Sequence, residues 1–115
     1  NILLSEQVKA VYYGDNRVGL VYNDATGENR YRLDVYNSEG ELENTFKFDL
    51  EYSNIFFAND KVVIYNAGSA LIYSDRGILK FSGSFEESVS LILPTEQDTK
   101  YVLITPTSIE TIVLQ

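Results

Sequence analysis

Acidic side chains are the most concentrated reactive groups in this chain, and paired carboxylates could perform acid–base chemistry. Five of them fall within 13 positions: Glu39, Glu41, Glu43, Asp49 and Glu51. Glycoside hydrolysis, for example, needs two carboxylates that face one cleft. Alternation instead places Glu41, Glu43 and Asp49 along the same side of one predicted strand. A charged outer strand that deters edge pairing is therefore the simpler interpretation.

The oxygen-rich segment 23–29, Asn-Asp-Ala-Thr-Gly-Glu-Asn, is a second candidate, because oxygen ligands suit Ca²⁺. It lacks the distal glutamate of an EF-hand loop. The pair Glu86 and Glu87 offers only two adjacent side chains on opposite faces of a strand. We interpret residues 23–30 as a flexible surface loop, and we expect neither a metal nor a cofactor.

The residue types that are missing exclude other chemistry. The chain has no His and no Cys, which removes a histidine-activated serine and any thiol nucleophile. None of the five lysines lies in a recognisable serine–lysine motif, and the seven glycines stand singly rather than in a phosphate-binding loop. We therefore expect no catalytic residues in this segment and predict that it is not an enzyme.

Aromatic residues offer a weaker candidate site. Tyr12 and Tyr13, and likewise Phe56 and Phe57, lie on what we predict to be the innermost strand of two structural units. Their rings could line a binding site for a sugar or a peptide. Core packing between sheets is the alternative, because such rings bury a large apolar area.

Charge and hydropathy limit the partners. The net charge is −8 and the basic residues are scattered, whereas nucleic-acid binding needs clustered Lys and Arg. No apolar run of 18 residues is present, so we expect no membrane segment in this chain.

Short β-strands are the elements that must position these groups. Alternating apolar and polar residues indicate half-exposed strands, and short continuous apolar runs indicate strands covered on both faces. No helical period of 3.6 persists beyond two turns, so we predict no helix. The predicted strands are 8–13, 18–22, 31–36, 42–48, 53–58, 62–65, 70–73, 78–85, 89–93, 101–104 and 109–114.

One phrase occurs twice. Residues 35–42, Val-Tyr-Asn-Ser-Glu-Gly-Glu-Leu, return 37 positions later as Ile-Tyr-Ser-Asp-Arg-Gly-Ile-Leu. Each copy has the form of a strand end, a glycine turn and a strand start. We also match Tyr22 with Tyr65, 43 positions apart, which assigns the six extra residues to the 23–30 loop. Repeats of this length mark stacked units that cannot bury their apolar faces alone.

Four strands in about 40 residues is the period of a propeller blade. We predict a single all-β repeat domain, residues 1–115, of antiparallel four-stranded propeller-type blades in units 8–51, 52–87 and 88–115. This is a partial propeller of about 2.75 blades, since the third unit lacks its fourth strand, and Ile2–Leu4 could end an earlier unit. A β-sandwich is the alternative. A ring needs about four blades, so we expect self-association through exposed blade faces or edges, or a compact two-sheet packing.

The turn pattern apolar-Tyr-Asn/Ser-x-x-Gly-x-Leu resembles the turn between the third and fourth strands of WD40-like blades. Over residues 8–23, 31–42, 54–73 and 85–114 the chain is similar to the C-terminal blades of an uncharacterised family of WD40-like propellers from Firmicutes. Members are typically membrane-anchored near the N terminus, with the propeller outside the cell. The resemblance therefore implies an extracytoplasmic location and an anchor upstream of Asn1. The chain has no Trp, so quinone binding is not implied.

These observations together predict a non-catalytic binding or scaffold module, a fragment of a larger extracytoplasmic WD40-like propeller. Its loops and strand edges would meet a protein or a cell-envelope ligand. The alternative is a part of a propeller enzyme or small-ligand-binding protein whose active residues lie outside these 115 residues.

Overall fold

Eleven strands make up the secondary structure of residues 6–114. The structure, a computed structural model, describes residues 6–114, and every element in that range is a strand. They are β1 (Ala10–Gly14), β2 (Arg17–Asn23), β3 (Tyr31–Asn37), β4 (Leu42–Phe48), β5 (Asn54–Ala58), β6 (Lys61–Tyr65), β7 (Ser69–Ser74), β8 (Leu79–Ser84), β9 (Leu91–Pro94), β10 (Lys100–Ile104) and β11 (Ile109–Val113). Each coincides with a predicted strand, with bounds that differ by a few residues. The strand suggested at Ile2–Leu4 lies outside the described residues.

The strands form three antiparallel sheets in chain order. The first sheet is β1-β2-β3-β4, the second is β5-β6-β7-β8 and the third contains β9, β10 and β11. The prediction of an all-β fold built from antiparallel four-stranded units is confirmed, and within residues 6–114 the third sheet has three strands, as predicted. Over the same residues, no helix is long and apolar enough to cross a membrane.

The chain divides into two compact units. Asn1–Asp49 contains the first sheet, and Leu50–Gln115 contains the second and third. The prediction of one domain with three repeat units stays a prediction.

The first hairpin of the first and second sheets uses the same turn. Asp15 and Asn16 have φ of 52° and 58°, and Asn59 and Asp60 have φ of 50° and 61°. Two consecutive positive φ values define the type I′ turn, whose twist suits a two-residue hairpin. Asn and Asp tolerate this left-handed region better than most residues, so these two dipeptides set the hairpin registers.

The repeated phrase folds the same way in both copies. The N–H of Asn37 donates to the carbonyl of Glu41 at 2.9 Å, and the N–H of Ser74 donates to the carbonyl of Ile78 at 2.8 Å. Gly40 has φ of 80°. Gly77, 37 positions later, has φ of 86°. A hairpin turn that ends on a left-handed glycine explains this conformation.

Side chains complete the two turns in parallel. Asn37 Oδ1 accepts hydrogen bonds from the N–H groups of Glu39 and Glu41 at 2.9 and 3.0 Å. Ser74 Oγ accepts the corresponding bonds from Arg76 and Ile78 at 3.3 and 3.2 Å. This is why either Asn or Ser serves at that position. Both sheets also have a β-bulge beside this turn, where the register shifts between Val35 and Tyr36 and between Ile72 and Tyr73.

The pairing corrects one predicted equivalence. Tyr36 pairs with Val18, and its counterpart Tyr73 pairs with Val62, so the first hairpins are related by 44 positions rather than 43. Tyr22 pairs with Arg32, whereas Tyr65 pairs with Ala70. A one-residue offset exchanges the two faces of a strand, so Tyr22 and Tyr65 are not equivalent. The β2–β3 connection therefore carries seven extra residues, the difference between 44 and 37.

The second and third sheets share one apolar core. Its buried members are Val63, Tyr65, Ala70, Ile72, Val89, Ile92, Tyr101, Leu103, Ile112 and Leu114. Phe56, Phe81 and Phe85 pack against this cluster. The buried apolar residues of the first sheet include Val21, Leu33, Val35, Phe46 and Phe48. The outer strand β8 has no buried residue, as expected for the most solvated strand of a unit.

Candidate binding surface

Register assigns each strand residue to one of two faces, because directly paired residues of adjacent strands lie on the same face. We call one face of each four-stranded sheet its front face. In the first sheet it carries Val11, Tyr13, Val18, Leu20, Tyr36 and Leu42. In the second sheet the equivalent residues are Ile55, Phe57, Val62, Ile64, Tyr73 and Leu79.

Equivalent front-face residues differ sharply in exposure. Val11 is 61% exposed, whereas its counterpart Ile55 is 2% exposed. Tyr13 is 76% exposed, whereas Phe57 is 5% exposed. Val18 and Leu20 are half-buried, and their counterparts Val62 and Ile64 are fully buried. The first sheet thus exposes the kind of apolar surface that the second sheet buries.

A shallow groove of about 420 Å³ runs along the front face of the first sheet. Its apolar walls are Tyr13, Val18, Leu20 and Tyr36, and Asn37, Ser38 and Gly40 of the following turn also line it. Contiguous exposed apolar surface of this kind marks interaction sites on soluble proteins.

Charged residues occupy the other half of the same face. The Arg32 guanidinium lies 4.4 Å from the centre of the Tyr22 ring, a cation–π contact, and donates to Glu6 Oε2 at 2.6 Å. Arg32 Nε is also 3.3 Å from Asp34 Oδ1, which accepts a hydrogen bond from Thr45 Oγ1 at 2.9 Å. The hydrogen bond to Glu6 raises the pKa of Arg32. The front face is thus apolar at one end and ionic at the other.

The loop predicted to be flexible is organised around the Asp24 carboxylate. Asp24 accepts hydrogen bonds from the N–H of Asn29 at 2.9 Å and from the N–H of Thr26 at 3.1 Å. Its Oδ1 also lies 3.5 Å from Lys47 Nζ. These donors, the Asn29 N–H foremost, lower the pKa of Asp24 to about 2. The Asp24 carboxylate, which a Ca²⁺ site in this loop would use, thus accepts hydrogen bonds from the loop's own N–H groups. Between residues 6 and 114, no group of three or more His, Cys, Asp or Glu is placed to hold a metal ion.

The model of a protein family described as a family of unknown function (DUF5711) matches residues 1–114. The chain belongs to this family. A search of the curated proteins found no match.

The four aromatic residues singled out from the sequence have separate environments in this DUF5711 chain. Tyr12 and Tyr13 lie on opposite faces of β1, and only Tyr13 is exposed. Phe57 is buried, and Phe56 is half-buried with its ring centre 6.2 Å from Tyr65 and 6.4 Å from Tyr101. Adjacent residues on a strand cannot share a face, so neither pair forms one aromatic surface.

The remaining groove residues of the DUF5711 chain were not singled out from the sequence. Val18, Leu20 and Tyr36 stand in strands whose alternation is visible, but alternation alone does not tell which face is buried. The repeat carried one signal for the position of Tyr36, because Tyr36 recurs as Tyr73 on the same face of its sheet.

Proposed function

We propose that this DUF5711 chain is a non-catalytic binding or scaffold module made of WD40-like, propeller-type blades, similar to the extracytoplasmic propellers of Firmicutes. The support is architectural. Each complete sheet is a four-stranded meander of about 40 residues. The third-to-fourth strand turn recurs with the same hydrogen bonds. Fold likeness is only a weak guide to function, so the binding role is drawn from the exposed surface instead.

The front face of the first sheet carries the proposal. It presents an aromatic ring and branched aliphatic side chains next to a charged region, a composition typical of protein-binding patches. A protein partner would cover the apolar half, and the Arg32–Asp34–Glu6 network would set its orientation.

Photo-crosslinking from Tyr13 tests this role. A benzophenone amino acid replaces Tyr13 in one variant and the exposed Glu43 of the same sheet in the control. We expect position 13 alone to give one reproducible protein adduct with a cell-envelope fraction, which excess unlabelled chain competes away and Leu20→Lys abolishes. Equal labelling from both positions, or adducts insensitive to Leu20→Lys, would refute a binding role for the front face.

A second candidate function is part of a small-ligand-binding protein or of an enzyme completed by residues outside this chain. The observation that favours it is the groove volume of about 420 Å³, which falls within the usual range of roughly 300–1,000 Å³ for small-molecule sites. A position-13 adduct whose mass increase is that of a small molecule would support this candidate over the first.

A further inference from the structure

Two edge strands of the four-stranded sheets have an asparagine that bonds an outward backbone N–H. In β4 the N–H of Thr45 donates to Oδ1 of the preceding Asn44 at 2.8 Å. In β5 the N–H of Ile55 donates to Oδ1 of the preceding Asn54 at 2.9 Å. An N–H bonded to the side chain of its own neighbour competes with pairing to another strand. These side chains therefore help to keep the two edges from pairing with other chains.

The edge strand β8 lacks this protection. Ser82 stands 37 positions after Thr45, and the residue before it is Phe81 where β4 has Asn44. A phenylalanine side chain has no oxygen or nitrogen to accept a hydrogen bond. The only charged residue in β8 is Lys80, although charge is a common device against edge pairing. Within residues 6–114, no strand pairs with the far side of β8, so this edge is open.

The pairing of β8 with β7 shows which backbone groups point outward. The N–H of Phe85 donates to the carbonyl of Gly68 at 2.8 Å. Hydrogen-bonded and non-hydrogen-bonded pairs alternate along an antiparallel ladder, so the backbone groups of Ser82 and Ser84 point away from β7. Both serines are exposed. The centre of β8 thus offers N–H and C=O groups to a further strand.

We propose that the β8 edges of two copies of this chain pair antiparallel across a two-fold axis, with Ser82 of one copy opposite Ser82 of the other. The two Ser82 residues exchange both of their backbone hydrogen bonds, and Lys80 lies opposite Ser84. The contact is isologous, because both copies use the same surface. It does not depend on the binding role of the front face.

Charge favours this antiparallel orientation. Lys80 stands near the start of β8, and Glu86 follows two positions after the strand ends. Both side chains are exposed. Pairing centred on Ser82 brings Lys80 of one copy diagonal to Glu86 of the other, within reach of long side chains. In-register parallel pairing would instead set Lys80 beside Lys80, which is destabilising. The charge pattern of the edge is therefore complementary to itself.

The contact is small, so the dimer should be weak. It uses one six-residue strand of each copy, within one compact unit of the chain. An edge pairing of this length covers no sheet face and stays below the roughly 1,200 Å² of a stable interface. Contacts of that size are typical of transient complexes. We therefore expect dimers at millimolar rather than micromolar chain concentration.

Removal of one outward N–H tests the pairing. Proline is tolerated in an edge strand where its missing N–H faces solvent, so Ser82→Pro should fold and keep the ladder with β7. As the wild-type concentration rises from micromolar to millimolar, its mass in sedimentation equilibrium should rise from 13.0 kDa towards twice that value. The Ser82 and Ser84 amides should gain protection from hydrogen exchange over the same range. Ser82→Pro should stay monomeric. A wild type that stays monomeric at millimolar concentration, or a Ser82→Pro chain that dimerises equally well, would overturn the proposal.

A charge exchange tests the two-fold register and does not depend on whether Ser82→Pro folds. Ser82→Glu and Ser82→Lys each place like charges directly opposite each other, so each should weaken dimerisation by about threefold to fivefold. A mixture of the two should form more dimer than either variant alone. Thr99→Glu and Thr99→Lys, equal changes at an exposed site of the same unit, should leave dimerisation unchanged. A mixture no better than its separate components would show that Ser82 does not lie opposite Ser82, against the proposal.

Leu20→Lys separates this contact from the front face of the first sheet. It should leave the β8 dimer intact, although we expect it to abolish the crosslink from position 13. A dimer that Leu20→Lys removes and Ser82→Pro does not would lie on the front face and overturn the inference. A chain that never dimerises and still crosslinks a different protein from position 13 would also overturn it, and would leave the proposed function intact.

Discussion

The first and second sheets share the same turn and strand signals in the sequence, but their equivalent side chains differ in solvent exposure. Both have a type I′ turn, a left-handed glycine in the connection between the third and fourth strands and a bulge at the same place. Yet Tyr13 is exposed where Phe57 is buried. Local structure is thus set by turn residues and alternation, whereas the burial of equivalent faces differs between the two sheets.

The front faces also differ in charge. Arg32, Asp34 and Thr45 form a network in the first sheet, and the residues 37 positions later are Ser69, Leu71 and Ser82. A partner of the first sheet therefore has to match an ionic region as well as an apolar one. Charged groups at such a boundary select partners more than they add affinity.

The largest expected effect separates the two equivalent rings. Phe57→Ala should lower the free energy of unfolding by about 3–5 kcal/mol, because it leaves a cavity where a buried ring was. Tyr13→Ala should change it by no more than about 0.5 kcal/mol, because Tyr13 is exposed. Urea denaturation of the two variants measures both values. If both variants lost a similar free energy of unfolding, the two rings would be equally buried, which would contradict the difference between the sheets.

The two left-handed glycines should respond alike. Gly40→Ala and Gly77→Ala each force a side chain into a positive φ, so each should cost about 1–2 kcal/mol. Gly68→Ala is the matched control. Its added Cβ would meet Asn66 Oδ1 at an ordinary 3.7 Å and its φ lies outside the left-handed range. Thermal unfolding of the three variants checks this. A cost confined to one of the two turns would contradict the structural repeat.

The Asp24 loop is specific to the first sheet and predicts a dependence on acid. The pKa of Asp24 is about 2, below the ordinary value of about 3.9, so its charged form stabilises the folded state. This contribution is complete above about pH 4 and is lost as the pH falls towards 2. Asp24→Asn should flatten that part of the stability profile, while Asp98→Asn, in an exposed loop of the other unit, should not. A wild-type profile level over this window would disprove the role of Asp24.

The smallest expected effect concerns Tyr101 in the core of the second unit. Its hydroxyl is buried without a hydrogen-bond partner in the part of the chain that the structure describes. Burial raises the pKa of Tyr101 to about 12. Because the unfolded tyrosine ionises near pH 10, stability should fall as the pH rises from about 10 to 12. Tyr101→Phe should remove this loss and change stability at pH 7 by about 1 kcal/mol or less, in the stabilising direction. Calorimetry at both pH values measures it; a clear loss of stability at pH 7 would mean that the hydroxyl is bonded.

Strands and turns could be predicted from the sequence because their signals are local. Asp15-Asn16, Asn59-Asp60 and the two glycine phrases mark hairpins, and alternation between them marks strands. The match of Tyr22 to Tyr65 failed for a physical reason. Residue identity favoured it, but the hairpin register, set by the preceding turns, shifted the pairing by one position.

The candidate surface could be predicted only in part. The sequence points to Tyr13 but equally to Phe57, its equivalent in the repeat, and a repeat pattern cannot tell an exposed face from a buried one. For residues 23–30 the composition predicts only a surface loop, because hydrogen bonds from the backbone N–H groups of Thr26 and Asn29 to Asp24 depend on a loop conformation that composition does not specify.

Hydroxyl-radical footprinting of Tyr13 and Phe57 tests most directly whether the first sheet leaves uncovered the face that the second sheet buries. Each rate is normalised to the intrinsic reactivity of its ring in the unfolded chain and measured on dilute protein. We predict that Tyr13 reacts nearly as fast as in the unfolded chain and that Phe57 is strongly protected. Equal protection of the two rings in dilute protein would contradict the account.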